Sequence, residues 1–271
     1  MIILTTASTL LLATVIFMVL YRHHGGYYYR SAVSVMCLAI CALYGVFASL
    51  LLPLVGRADL INYSVSQFYY NLLGFLVDIS VTIEGSENLV HPLSVLVCNH
   101  QSSMDVFFMA SVFPKATSVV AKKALKYYPF LGWYMILAKA IFLDRKNRDN
   151  AIKEAKQAAE DINKKKISVW LFPEGTRGHA SELDLLPFKK GAFYMAVQAG
   201  VPIVPIVVQN YYHLYDSKAK RFNSGNIRVK ILPPVPTKDI AEDSESVDKL
   251  ASSVREDMLK TLKELGQQQH K

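Results

Sequence analysis

Val95-Leu96-Val97-Cys98-Asn99-His100-Gln101-Ser102-Ser103-Met104-Asp105 passes from an apolar run through a polar turn into a second apolar pattern over residues 106–112. A short run apolar on both faces suits a strand buried in a parallel sheet, so the polar residues fall at its carboxyl end. His100 and Asp105 would lie about 140° apart around one continuous helix. A strand-to-helix turn removes that separation by folding His100 back over the first helical turn. There a carboxylate can hold one ring nitrogen and leave the other free as a base. With Ser102 as N-cap, Asp105 falls at N3, where a capping-box acid is the competing reading. His100 taken alone also reads as a hydrogen-bonded turn residue.

The same grammar recurs at Ser168-Val169-Trp170-Leu171-Phe172-Pro173-Glu174-Gly175-Thr176-Arg177. An apolar strand is broken by Pro, and Gly permits an unusual backbone angle. Glu174, Gly175, Thr176 and Arg177 therefore fall near the same sheet edge as His100. Ligands of open α/β sheets collect beyond the carboxyl ends of the strands, and an arginine there suits two-pronged phosphate contact. An exposed turn arginine is the plainer alternative.

Further strand patterns fall at residues 79–83, 117–120, 140–143, 203–208 and 227–232. Helical stripes alternate with them: Ile152, Ala155, Ala159 and Ile162 make one, and Val247, Leu250, Val254, Met258 and Leu262 another. The expected class is α/β, a single mostly parallel sheet flanked by helices. No internal repeat or low-complexity linker divides the part after residue 60.

Ahead of that part, residues 2–20 and 31–55 carry no charged side chain. The first would span about 28 Å as a helix, and the second is longer. The connector Tyr21-Arg22-His23-His24-Gly25-Gly26-Tyr27-Tyr28-Tyr29-Arg30 has the tyrosines and glycines of a turn at a headgroup interface. Two antiparallel membrane-spanning helices are expected, giving a membrane anchor over 1–59 and a second domain over 60–271. A cleaved signal peptide is disfavoured, because no Lys or Arg precedes the first run and no small-residue cleavage site follows it. Residues 60–77 alternate Asn62, Ser64, Ser66, Gln67 and Asn71 with Ile61, Val65, Phe68 and Leu72 at helical spacing. Such a helix lies in the membrane interface or packs on the domain core.

The 271 residues carry 30 Lys+Arg against 22 Asp+Glu, a net +8, with 52% hydrophobic and 19% charged residues. The mean hydropathy of +0.21 excludes disordered and small disulfide-stapled classes. Residues 115–166 hold 13 Lys+Arg and 5 Asp+Glu. Beside membrane helices, that basic stretch favours anionic headgroups or phosphorylated substrates, although a solvated face has the same composition. Nucleic acid would suit the charge, but no helix-turn-helix, zinc-finger or RNP-type signature is present. The three cysteines, Cys37, Cys41 and Cys98, read as reduced. His23, His24, Cys37 and Cys41 do not assemble a metal site, and there is no G-x-S-x-G elbow.

Asn99 to Asp105 matches N-H-x4-D, and Phe172 to Arg177 matches F-P-E-G-T-R, the paired signatures of the glycerolipid acyltransferases. Ile141-Phe142-Leu143-Asp144-Arg145 and Val201-Pro202-Ile203-Val204-Pro205-Ile206 fit two weaker blocks in the expected order. From about residue 60 onward the sequence resembles that family. Ala121-Lys122-Lys123-Ala124-Leu125, Pro129-Phe130-Leu131-Gly132-Trp133 and Leu186-Pro187-Phe188-Lys189-Lys190-Gly191-Ala192 look most like its 1-acyl-sn-glycerol-3-phosphate acyltransferases, the fungal ones above all.

The resemblance implies transfer of an acyl group from acyl-CoA, as co-substrate, to the sn-2 hydroxyl of lysophosphatidic acid. No further cofactor and no metal is implied, and the partner is membrane lipid, with a multi-pass place in the endoplasmic reticulum. His100 would be the base and Asp105 its support. Glu174, Gly175, Thr176 and Arg177, with Lys122 or Lys123, would hold substrate, and backbone N–H groups around Pro173 to Thr176 would meet the oxyanion. Rival readings are a Cys98 nucleophile, another acceptor such as lysophosphatidylcholine or glycerol-3-phosphate, and a non-enzymatic module that binds anionic lipid.

Overall fold

Two apolar helices open the chain, α1 (Ile2–Tyr21) and α2 (Tyr27–Leu51), and after 3-10 turns at Leu52–Val55 and Ala58–Leu60 a third, α3 (Ile61–Val77), folds back along α2. Then come β1 (Ile79–Glu84), β2 (Val95–Cys98), α4 (Asp105–Ser111), β3 (Thr117–Lys122), α5 (Leu131–Leu137) and β4 (Ile141–Leu143). The chain continues through α6 (Ala151–Lys165), β5 (Ser168–Leu171), α7 (Gly191–Ala199) and β6 (Ile203–Val208). A short hairpin of β7 (Tyr215–Asp216) and β8 (Arg221–Phe222) precedes β9 (Gly225–Ile231) and α8 (Ser244–Gln267). The computed structural model describes residues 2–22, 24–89, 93–143, 151–178 and 183–267. His23, Asp144 and Arg145, singled out above, lie outside the described residues, and so does the Ile152 side chain.

The sheet order is β1-β9-β6-β2-β5-β3-β4. Every neighbouring pair is parallel except β6 with β9. The expected mostly parallel α/β sheet is what forms. Strand alternation sorts its side chains into two cores. Leu96, Cys98, Trp170, Val204 and Ile206 join α3 and α4 on one face. Val95, Val97, Val169, Ile203 and Val207 join α6, α7 and α8 on the other. Both faces being covered explains why β2, β5 and β6 read as unbroken apolar runs.

The two expected crossings are matched in part. Among the described residues, Tyr27–Val55 is the one stretch long and apolar enough to cross a membrane, and Leu12–Tyr21 in α1 is a shorter apolar stretch. The start of α2 touches the β7–β8 hairpin and the end of α3. At its start Tyr27 lies 6.4 Å from Tyr215 between ring centroids, and the Arg30 guanidinium donates to the carbonyls of Gly25, Arg22 and Val77. After its end the chain passes through the two 3-10 turns into α3. Of the two expected crossings, the described residues give one helix of spanning length and composition.

The cluster that includes Val33, Cys37 and Cys41 continues through Tyr69 and Leu73 to Phe107 and Leu96, so apolar contact runs across the expected boundary at residue 60. Helix α3 takes the packed alternative, burying Ile61, Val65, Tyr69, Leu73 and Leu76 while leaving Phe68 and Phe75 on its outer side.

Helices α2 and α5 approach closely at Gly45. A Cβ there would stand 2.5 Å from the Tyr134 ring. That ring cannot swing away, because its hydroxyl donates to Asn62 Oδ1 at 2.6 Å and Asn62 in turn donates to the Thr117 carbonyl at 2.9 Å. Gly45→Ala is expected to cost about 1–3 kcal/mol through overpacking. Thermal unfolding of the full chain in detergent measures it.

Candidate active site

The carboxyl ends of β2, β5 and β3 lie side by side, since β5 pairs with both of the others. Their following turns therefore bring His100, the Pro173-Glu174-Gly175-Thr176-Arg177 segment and the Lys122-Lys123 pair to one edge of the sheet.

Asp105 organises the first turn. Its side chain is fully buried, and its carboxylate gathers four donors. Oδ2 lies 2.7 Å from His100 Nδ1 and accepts the backbone N–H groups of Gln101 at 2.6 Å and Ser102 at 2.9 Å. Oδ1 accepts the Tyr211 hydroxyl at 2.5 Å. A buried carboxylate without such partners would cost several kcal/mol. The helix begins later than expected: Met104 is its N-cap and Asp105 its first residue, while Ser102 Oγ accepts the Met104 N–H at 3.0 Å. Asp105 thus reaches back over the turn instead of serving at N3. That reach holds the imidazole.

The His100 ring stacks on Phe172, with centroids 4.2 Å apart. Its side chain stays 19% exposed, and Nε2 has no protein partner among the described residues. The bond at Nδ1 fixes which nitrogen is open.

Glu174 is placed differently from the expected substrate contact. Its side chain is buried, with Oε1 accepting the His100 N–H at 2.7 Å and Oε2 the Leu186 N–H at 3.0 Å. Burial raises its pKa, opposed by those two amides and by the His100 ring. The chain closes the loop in the other direction when Gly178 N–H donates to the His100 carbonyl at 2.8 Å. Glu174 joins the two motif turns and presents no oxygen outward.

Thr176 and Arg177 are exposed. The Tyr215 hydroxyl lies 3.2 Å from Ser103 Oγ; burial raises its phenol, and the charge of Arg177 acts on it in the opposite sense. Gly175 adopts φ +72°, and a Cβ there would meet Lys189 Cε at 2.7 Å and Nζ at 2.9 Å. The glycine therefore admits a lysine beside the turn. Of the expected oxyanion donors, Pro173 has no N–H and the Gly175 N–H donates to the Phe172 carbonyl at 3.1 Å. Glu174 and Thr176 remain as backbone candidates. Lys122 ends β3 and Lys123 begins the turn after it. The edge is cationic.

Cys98 is fully buried and its thiol donates weakly to Asn99 Oδ1 at 3.8 Å. Burial, then Asp105 and Glu174, push its pKa well above the ordinary thiol range. A protonated buried thiol is a poor nucleophile.

Two residues of this edge carry no motif signal of a role there. Lys189 lies within the Leu186–Ala192 stretch, and Tyr211 belongs to no motif. Tyr211 is buried between Asp105 and Ser102, whose hydroxyl lies 2.8 Å away. Burial and Asp105 hold its phenol well above its ordinary pKa, so it remains the donor. Its only legible signal was position, just beyond the carboxyl end of β6.

An imidazole held by a buried carboxylate thus lies beside a cationic turn at the sheet edge, and a family model described as Acyltransferase matches residues 80–209. The 1-acyl-sn-glycerol-3-phosphate acyltransferase of Saccharomyces cerevisiae is 42% identical over 237 residues, covering 88% of this chain and 78% of that one. The human 1-acyl-sn-glycerol-3-phosphate acyltransferase alpha is 42% identical over 195 residues, 71% of this chain and 67% of its own length. The crystal structure of the 1-acyl-sn-glycerophosphate (LPA) acyltransferase from Thermotoga maritima superposes with a TM-score of 0.66 at 25% identity, covering 92% of this chain and 97% of that one. The chain belongs to the 1-acyl-sn-glycerol-3-phosphate acyltransferase family.

Glu174→Gln exchanges an acceptor oxygen for an NH2 that cannot accept from a backbone N–H. It leaves one buried donor unpaired. The expected loss is about 1–3 kcal/mol, read as a lower thermal midpoint with either amide orientation.

Proposed function

We propose that this enzyme moves a fatty acyl group from acyl-CoA to the sn-2 hydroxyl of lysophosphatidic acid, releasing CoA and phosphatidic acid. The relatives' activity supports the acceptor and product. The observation that carries the mechanism is the 2.7 Å contact of His100 Nδ1 with the buried Asp105 carboxylate, which leaves Nε2 open.

An alcohol is a weak nucleophile at neutral pH. His100 Nε2 accepts its proton as the oxygen bonds to the thioester carbonyl carbon, and Asp105 stabilises the imidazolium that forms. The carbonyl electrons move to oxygen, met by backbone N–H groups of the Glu174 and Thr176 turn. When the intermediate collapses, the C–S bond breaks and the proton returns through His100 to the departing sulfur. No acyl-enzyme is needed. Arg177 and Lys189, with Lys122 or Lys123, hold the acceptor phosphate, two-pronged contact being what a guanidinium supplies.

The lipid acceptor also explains the apolar outside. Helix α2, the 3-10 turn after it and the segment 127–137 expose Phe47, Leu51, Leu54, Tyr127 and Trp133, a surface that water does not favour. We infer that α1 and α2 anchor the chain in the endoplasmic reticulum membrane with this flank in lipid. Because Tyr27 touches Tyr215 and Arg30 reaches the Val77 carbonyl, the start of α2 lies on the domain's side of the bilayer.

The deciding assay is acceptor-dependent CoA release by purified protein in detergent, with one acyl-CoA and a panel of lysolipids. Lysophosphatidic acid is expected to be preferred over lysophosphatidylcholine and glycerol-3-phosphate. His100→Ala is expected to lose about 10²–10⁴ of the rate, and Cys98→Ala to keep most of it. Lipid binding without CoA release would point to a non-enzymatic module. Tyr211→Phe removes one donor from a charged acceptor and is expected to lower kcat about tenfold with KM little changed. In sealed vesicles, Tyr28→Cys is expected to react with an impermeant maleimide from the same side as Lys249→Cys in α8. Labelling from opposite faces would restore two crossings.

A further inference from the structure

We propose that the cavity between the α1–α2 connector and the β7–β8 hairpin binds the phosphomonoester headgroup of a membrane lipid, at a place separate from the catalytic edge. The proposal does not rest on the acyl-transfer reading. The cavity has a volume of about 700 Å³, and its polar side chains include His24, Tyr27, Lys220, Arg221, Asn223 and Ser224. That is enough room for a small headgroup. No Asp or Glu lines it among the described residues, and no residue of the His100 to Arg177 site does. Its charged and amide side chains offer N–H donors and positive charge, which selects for an anion.

Lys220 is the centre of the case. Its ammonium lies 5.1 Å over the Tyr27 ring and 5.9 Å over the Tyr28 ring, and it has no carboxylate partner among the described residues. It adopts φ +51°, a left-handed conformation unfavourable for a lysine. The hairpin accepts that strain where it turns this cation toward the connector. Strain of this kind collects at ligand sites. Arg221 adds field from a fixed place, since its Nε and Nη2 donate to the Tyr212 carbonyl at 3.1 and 2.9 Å and its charge pairs with Asp216 at 3.6 Å. Arg30 lines the base, its guanidinium committed to backbone carbonyls.

A phosphate monoester could come from a lipid headgroup or from a soluble donor such as the 3′-phosphate of CoA. Position favours the lipid. One wall is the connector that joins two apolar helices, and Tyr28 beside it is 73% exposed, as tyrosines at a headgroup boundary are. The other wall reaches the catalytic edge through Tyr215, which touches both Tyr27 and Ser103. The cavity is placed to hold an anionic lipid next to the site without entering it.

The test is equilibrium binding of radiolabelled dioleoylphosphatidate to the full chain in dodecyl maltoside micelles, without acyl donor, so that turnover plays no part. Lys220→Asn removes the charge and tolerates the left-handed backbone. It is expected to bind one phosphatidate fewer per chain than the unchanged protein, whatever the catalytic edge binds. Lys220→Arg is expected to restore that equivalent, and His24→Gln to weaken it about fivefold. Dioleoylphosphatidylcholine is expected not to compete. Equal stoichiometry in Lys220→Asn and the unchanged protein overturns the proposal, and so does displacement of the Lys220-dependent equivalent by CoA or inorganic phosphate at concentrations that spare the lipid micelle.

Discussion

A carboxylate taken out of water must be given donors, and Asp105 receives four of them from two parts of the chain. The Gln101 and Ser102 amides fix the turn, the imidazole fixes the open nitrogen, and the Tyr211 hydroxyl ties in the loop after β6. None of these groups would hold the geometry alone, since a single hydrogen bond contributes about 1 kcal/mol net. Together they make the turn rigid. Glu174 repeats the device one strand away, where two backbone N–H groups hold the second turn against the first. Two buried acids therefore shape the site. Neither one needs to touch the acceptor.

The strands were legible because burial on both faces writes itself as uninterrupted apolar runs, and β2, β5 and β6 have such faces. The His100 and Asp105 pairing was legible too, because a polar turn between strand and helix can bring only nearby groups together. What could not be read is what depends on contacts distant in sequence. Tyr211 lies more than a hundred residues from Asp105, and a tyrosine following a strand has the same local pattern whether or not it meets a buried acid. The inward turn of Glu174 is decided by the Leu186 amide. Its sequence neighbours, Gly175 to Arg177, face outward, and no periodicity distinguishes it from them. The β7–β8 hairpin escaped notice because two-residue strands leave no alternation to count.

The amino-terminal helices match expectation in part, and the reason is physical as well. Hydropathy measures whether a helix can enter lipid, and α2 passes that measure. It does not record which face is already occupied. Cys37, Cys41 and Ala42 are apolar enough for lipid, yet they pack on the domain, because small side chains let neighbouring helices approach closely. A helix lined on one side by protein and on the other by exposed Phe47 and Leu51 satisfies both surroundings. Its composition is that of a spanning helix while its contacts are those of a flank.

The placement of that flank bears on the chemistry. A lipid acceptor has an acyl chain that prefers hydrocarbon and a phosphate that prefers cations and water. Its reacting hydroxyl lies between them. A site wholly inside the soluble core would have to desolvate the phosphate, and one wholly in water would have to expose the chain; each costs more than leaving the lipid where it is. In this fold α4, which begins with Asp105, packs on α3, and α3 packs on α2. The turn that carries His100, the proposed base, is thereby fixed to the helix that carries the apolar flank. Arg177 follows β5 at the same sheet edge, and Lys189 lies against Gly175 there. The distance between that flank and His100 is set by packed side chains, and under the proposed function this is what would let a hydroxyl at the headgroup boundary meet His100 without its lipid leaving the membrane.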